Sequence, residues 1–163
     1  MKKLLIAASA AALSLAAPAL AHAEASVYGT IGYANVSVDP VNLGVIQGRL
    51  GVNLTPHFGV EAEAAFGVAD DEILGISVEL THTYGAFAVA RLPVSENMDI
   101  FVRGGFASAE VDVGGTSASE DGAAYGVGVE GFFTPNDGVR LDYTRYDFGG
   151  DADVWSIAYV RKF

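Results

Sequence analysis

The stretch IQGRLGVNLTPHFGVEAEAAF, Ile46 to Phe66, contains two strands and the turn between them, and its reading decides the fold. Ile46, Gly48, Leu50, Val52 and Leu54 alternate with Gln47, Arg49, Gly51 and Asn53; beyond Thr55-Pro56-His57, Val60, Ala62, Ala64 and Phe66 alternate with Glu61 and Glu63. Side chains of a strand point alternately to its two faces, so each strand has one wholly apolar face and one that carries charge. A soluble barrel would turn the apolar face inward and the charges to water.

The same division continues along the chain. Ile100, Val102 and Phe106 oppose Asp99 and Arg103; Tyr125, Val127, Val129 and Phe133 oppose Glu130; Val139, Leu141 and Tyr143 oppose Arg140 and Asp142; Trp155, Ile157, Tyr159 and Phe163 oppose Ser156, Ala158 and Lys162. Charges on the apolar face are confined to strand ends, at Arg145, Asp147 and Arg161. Aromatic residues on that face cluster at both rims. Tyr33, Phe66, Phe106, Tyr125 and Trp155 fall toward one end, and Phe58, Phe133 and Phe163 toward the other, as two interfacial girdles. Arg or Lys at a bilayer midplane costs roughly 2–4 kcal/mol, so this face suits hydrocarbon and the charged face suits a lumen.

Strands are expected at 26–36, 43–54, 58–68, 76–91, 98–110, 123–133, 138–148 and 154–163. Compact turns at Thr55 to His57, Pro93 to Asn97 and Thr134 to Asp137 alternate with variable loops at Ser37 to Asn42, Ala69 to Gly75, Val111 to Gly122 and Gly149 to Asp153. The expected fold is all-β, an eight-stranded antiparallel up-and-down transmembrane β-barrel with both termini in the periplasm. The fourth strand is long, and its odd face mixes Glu79, Thr81 and Thr83 with Phe87 and Val89, so a β-bulge there would change the register.

The start of the chain reads as an export signal. Lys2 and Lys3 precede an apolar run from Leu4 to Ala17 and an A-x-A site at Ala21-His22-Ala23, so residues 1–23 are expected to be removed and residues 24–163 to form the barrel. Removal takes two lysines and no acid, which moves the net charge from −11 to −13 and disfavours nucleic acid as a partner. No cysteine is present, which excludes disulfides and thiolate-held metal. The chain is 51% apolar, yet no mature stretch approaches the roughly 18 apolar residues of a spanning helix.

Inside such a barrel, Arg49, Arg103 and Arg140 face Glu61, Glu63, Glu130 and Asp142. Eight strands leave an interior just wide enough for side chains, and buried charges need partners, so these seven are expected to form a luminal ion-pair network. A functional alternative is a gate whose pairs exchange and open a narrow water path.

Other motifs carry less. Gly126-Val127-Gly128-Val129-Glu130-Gly131 fits G-x-G-x-x-G, but it lies within a strand and runs into Phe132 and Phe133 with no helix to meet a pyrophosphate. His82 near Ser77 and Glu79 could be cast as a catalytic set, yet Thr81 and Thr83 flank the histidine and no serine stands beside it. Asp70-Asp71-Glu72, Glu120-Asp121, Asp147, Asp151 and Asp153 read as a solvated acidic rim, with divalent-cation binding as the alternative. Neither cofactor nor metal is expected.

At the end of the chain Trp155, Ile157, Tyr159 and Phe163 alternate to a terminal phenylalanine, which resembles the signal by which outer-membrane barrels are recognised for assembly. Arg161 departs from the aromatic or aliphatic residue usual at its position. GRLG from Gly48, NLTPHFGVEAEAAFG from Asn53, ARLPVS from Ala90 and RLDYTRYDFG from Arg140 resemble the small OmpA-like and opacity-type outer-membrane barrel family, over essentially the whole mature chain. The resemblance implies a monomer in the cell outer membrane, with outer-membrane lipid, lipopolysaccharide and the barrel-assembly machinery as partners. It implies a non-enzymatic structural or adhesin-like surface role, with a narrow low-conductance porin and a lipid A-modifying enzyme as alternatives.

Overall fold

A computed structural model describes residues 25–38, 41–69, 71–73, 76–113 and 116–163. The expected leader, residues 1–23, lies outside the described residues. Among the described residues nine strands follow one another: β1 Ser26–Val38, β2 Val41–Asn53, β3 Phe58–Ala69, β4 Asp71–Ile73, β5 Ile76–Ser95, β6 Met98–Val113, β7 Thr116–Phe132, β8 Asp137–Asp147 and β9 Asp151–Lys162. Eight of them close a ring in which every neighbour is antiparallel. The ring closes where β1 meets β9, from Tyr28 opposite Lys162 to Ser37 opposite Asp153. Closure removes both sheet edges, which is what lets a sheet cross a bilayer without unpaired backbone groups. The three-residue β4 sits beyond β3 and pairs with the start of β5.

The same local chemistry builds two of the turns. Thr55 Oγ1 accepts the backbone N–H of His57 and Phe58 at 3.2 and 2.9 Å, and Thr134 Oγ1 accepts those of Asn136 and Asp137 at 3.3 and 2.9 Å. Each threonine is followed by a proline, whose fixed φ starts the reversal. Both turns, and the shorter one at residues 96–97, lie at the end where the chain enters β1 and leaves β9.

Alternation places the residues as the charges require. Leu50 is 67% exposed and Phe106 68%, on the outer face, while Arg140 and Thr144, on the inner one, are fully buried. Two of the outward charges at strand ends are paired: Arg145 with Asp151, and Arg161 with Asp137. All eight aromatic residues expected at the rims are exposed on the outer face.

The structure corrects the strand ends. Of the span Val111 to Gly122, expected as a loop, residues 111–113 and 116–122 are strand, and β6 and β7 stay paired from Ala107 opposite Gly122 to Val113 opposite Thr116. The described residues of the expected loops at Ser37 to Asn42 and Ala69 to Gly75 are likewise strand, and β5 runs on to Ser95, past the expected end at 91. Above the bilayer a ribbon has water on both faces, so its apolar alternation vanishes while its ladder needs only a partner backbone. Pro93, which has no N–H to give, sits where the β5–β6 register shifts. The irregularity expected on the fourth strand lies between Leu80 and His82.

Candidate functional site: the charged lumen

Parity alone sends Arg49 of β2, Glu61 and Glu63 of β3, Arg103 of β6, Glu130 of β7 and Arg140 and Asp142 of β8 inward, and closure brings them to one level. Arg49 reaches three partners: its Nε lies 2.8 Å from Glu63, its two terminal nitrogens grip both oxygens of Asp142 at 2.7 and 2.9 Å, and Nη2 also donates to Gln47 at 2.8 Å. Arg140 bridges Glu61 at 2.6 Å, Glu130 at 3.2 Å and Asp142 at 3.1 Å. Arg103 donates to Glu63 at 2.6 Å and faces Glu61 at 3.8 Å. Phenols complete the acids. Tyr28 donates to Glu61 at 2.8 Å and Tyr146 to Glu63 at 2.6 Å.

An eighth member was missed in the sequence. Arg91 of β5 is buried, lies 3.4 Å from Glu130 and 3.8 Å from Glu61, and donates to Asn53 at 2.9 Å. Parity did not mark it, since Arg91 shares a face with the apolar Phe87 and Val89, and the mixed odd face of that strand concealed it. With Arg91 the lattice has four guanidiniums and four carboxylates, so its formal charge is zero. That balance is what allows such groups to be buried, because an uncompensated charge in this setting would be strongly destabilising.

Aromatic rings hold three of the arginines from behind. Arg91 lies 4.6 Å over the ring of Tyr28, Arg103 3.5 Å over Phe87 and Arg140 4.0 Å over Phe101. Glycine makes room for these rings. A Cβ on Gly51, directly opposite Tyr28, would fall 2.1 Å from its ring, and one on Gly128, directly opposite Phe101, 2.4 Å from that ring. Gly128 belongs to the G-x-G-x-x-G run, all of which lies within β7, so that glycine is there to seat a ring. These three arginines are thus fixed between a ring and their acids, and Arg49 by its bonds to Glu63, Asp142 and Gln47, which leaves little freedom for the pairs to exchange.

The lumen changes character along its axis. On the turn side a cup of about 600 Å³, lined by Tyr28, Asn53, Arg91, Asp99, Glu130 and Lys162, ends at the lattice. On the loop side the interior is apolar: Ala34, Leu43, Val45, Ala65, Phe87, Ala107, Tyr146 and Val154 pack in one cluster, with Val36 and Phe148 against it. This half differs from the expectation of a lumen filled by charge, because the inward Leu43 and Val45 lie nearer the loops than Arg49 on β2, and Val154 stands opposite Thr144, nearer the loops than Asp142 on β8.

The remaining candidates lie apart. His82 is half-buried at the loop-side rim, 3.7 Å from Glu110 and beside Tyr84, and the side chains of Ser77 and Glu79 lie outside the described part. Asp151 and Asp153 both meet Arg145, and Asp153 also accepts the hydroxyl of Tyr143 at 2.6 Å. Among the described residues no group of three or more histidines and acids is placed to hold a metal. Trp155, Ile157, Tyr159 and Phe163 line the outer face of β9, against β8 and β1.

A closed eight-stranded ring with an apolar outside and a salt-bridged inside is the architecture of an outer-membrane barrel, and the sequence comparison agrees. The family model described as outer membrane protein beta-barrel domain matches residues 6–163. The chain belongs to this family. No curated protein matches it in sequence. Among solved structures it is similar to Ail, the attachment invasion locus protein of Yersinia pestis, in complex with the heparin analogue sucrose octasulfate (16% identity, 85% of this chain and 97% of that one, TM-score 0.62). It is also similar to Neisserial surface protein A (14% identity, 85% and 97%, TM-score 0.61) and to OprG of Pseudomonas aeruginosa (10% identity, 86% and 96%, TM-score 0.64). At these identities the likeness is one of fold, and the chain is an outer-membrane β-barrel domain.

Proposed function

We propose that this outer-membrane barrel is a non-enzymatic, non-conducting protein that acts through its surface: the apolar belt holds it in the bilayer and the loop ends meet the exterior. The observation that carries the reading is the neutral lattice of four arginines and four acids across the lumen, with an apolar layer above it. Ions would have to break paired charges and then cross a dry section, and both steps are unfavourable. His57 is exposed in a turn and His82 half-buried at the loop-side rim, paired with Glu110 rather than with an acid of the lattice, which supports a role without catalysis.

Partners follow from the surface. Outer-membrane lipid and lipopolysaccharide contact the belt, a single barrel suffices without a second copy, and export uses a leader cleaved after Ala23. Trp155, Ile157, Tyr159 and Phe163, presented together on the outer face of the closing strand, are the features that the assembly machinery reads.

Single-channel recording in planar bilayers tests the reading. Wild-type protein is expected to give no conductance steps, whereas Arg140→Ala, which removes the arginine that bridges Glu61, Glu130 and Asp142, gives small ones. Reproducible steps from the wild type would replace this reading with a narrow pore.

A further inference from the structure

The lipid-facing surface is not evenly filled. Gly29 of β1, Gly48 of β2 and Ala64 of β3 form the floor of an apolar groove of about 720 Å³, with Phe66, Tyr84, Tyr159 and Phe163 among its walls. Packing within the barrel does not require these glycines. A Cβ on Gly48 would meet nothing nearer than 3.8 Å and one on Gly29 nothing nearer than 3.6 Å, in contrast to Gly51 and Gly128. Their small size is felt only on the lipid side.

A charged pair stands at the turn-side end of this groove. Arg161 lines it, is about half exposed, and donates from Nη1 to Asp137 Oδ1 at 3.2 Å. Asp137 also accepts the hydroxyls of Tyr159 and, at 2.9 Å, Thr134, so its position is fixed. A cation and an anion side by side at the level of the periplasmic headgroups, with an apolar trough leading from them toward the middle of the bilayer, match a zwitterionic lipid. Its phosphate would meet the guanidinium, its ammonium the carboxylate, and one acyl chain the trough.

We propose that this groove holds one phospholipid of the periplasmic leaflet, with a zwitterionic headgroup ending in a primary ammonium. The inference rests on the reading of the chain as a membrane barrel. It gives Arg161, out of place in an apolar terminal alternation, a role.

Protein refolded in detergent micelles, and shown by heat-modifiable mobility to be a folded barrel, would be studied by native mass spectrometry. Palmitoyl-oleoyl phosphatidylethanolamine, the matching phosphatidylglycerol and the matching diacylglycerol would be added at equal mole fraction. One phosphatidylethanolamine per barrel is expected, retained about tenfold better than the diacylglycerol, as a charge-assisted headgroup contact would give, and better than the phosphatidylglycerol. Gly48→Leu, whose side chain has free space to enter the groove, should abolish retention. Arg161→Gln should lower phosphatidylethanolamine to the level of diacylglycerol. A folded wild type that keeps no lipid, or keeps all three alike, or variants that retain as much as the wild type, would overturn the inference and leave the barrel itself standing. Failure of the heat-modifiability control would instead remove the membrane reading and the inference with it.

Discussion

Arg140 shows what one residue does in this lumen. It is fully buried, touches Glu61, Glu130 and Asp142, and lies on Phe101, so truncation takes a partner from three acids, two of which, Glu61 and Asp142, do not line the open cup. Removing one partner of a buried pair costs typically about 3–5 kcal/mol. Arg140→Ala should therefore lower the stability of the barrel by that order in urea titrations of protein folded into lipid vesicles, and Arg140→Lys, which keeps the charge, by less. Arg91→Ala should cost less than Arg140→Ala, because Arg91 borders the open cup and water can reach the acid it leaves. Equal midpoints for wild type and Arg140→Ala would mean that the lattice does not hold the fold. Seven of the eight charged members were legible by strand parity. Tyr28, Tyr146, Phe87 and Phe101 were not, because an aromatic residue in an alternating strand carries no mark of whether it faces hydrocarbon or a guanidinium.

Strands were legible where they cross the bilayer and illegible where they leave it. Between girdles, a face that carries charge opposite an apolar one makes orientation readable, as in Leu141 against Arg140 and Asp142. Beyond them, Thr116 to Gly122 has the composition of a loop and the pairing of a strand, since its register is set by β6 alone. The depth of a strand position has a measurable consequence. Leu141, outward and four residues from the start of β8, should tolerate arginine poorly, at a cost of roughly 2–4 kcal/mol in vesicle-folding titrations, whereas Phe133→Arg at the turn-side girdle should cost about 0–1 kcal/mol. Equal costs would mean that the belt is not where the aromatic rims put it. The closing strand is tested separately. Deleting Phe163, whose N–H bonds Val27 O at 2.9 Å beside the β1–β9 seam, should reduce outer-membrane levels several-fold in cells; unchanged levels would show that assembly does not read the terminal residue.

The whole molecule inverts the usual arrangement of a soluble domain. Its outside is apolar and its middle is charged, and the loop-side half of its lumen returns to apolar packing, a layering visible only once closure brings Leu43, Tyr146 and Val154 together. Closure itself was inferred from the count of strands and the terminal alternation; its register, from Tyr28 opposite Lys162 upward, needed the structure, because pairing between the first and last strands leaves no local trace in the sequence. A closed barrel of this kind stays compact in detergent until it is boiled, since its ladder has no free edge from which to unzip. The most direct measurement is therefore the electrophoretic mobility of the protein from outer-membrane fractions, with and without boiling. A fast-migrating band that shifts to the mobility of the unfolded chain only after boiling is the expected result, and a single mobility under both conditions, with the protein in the soluble fraction, would contradict the barrel.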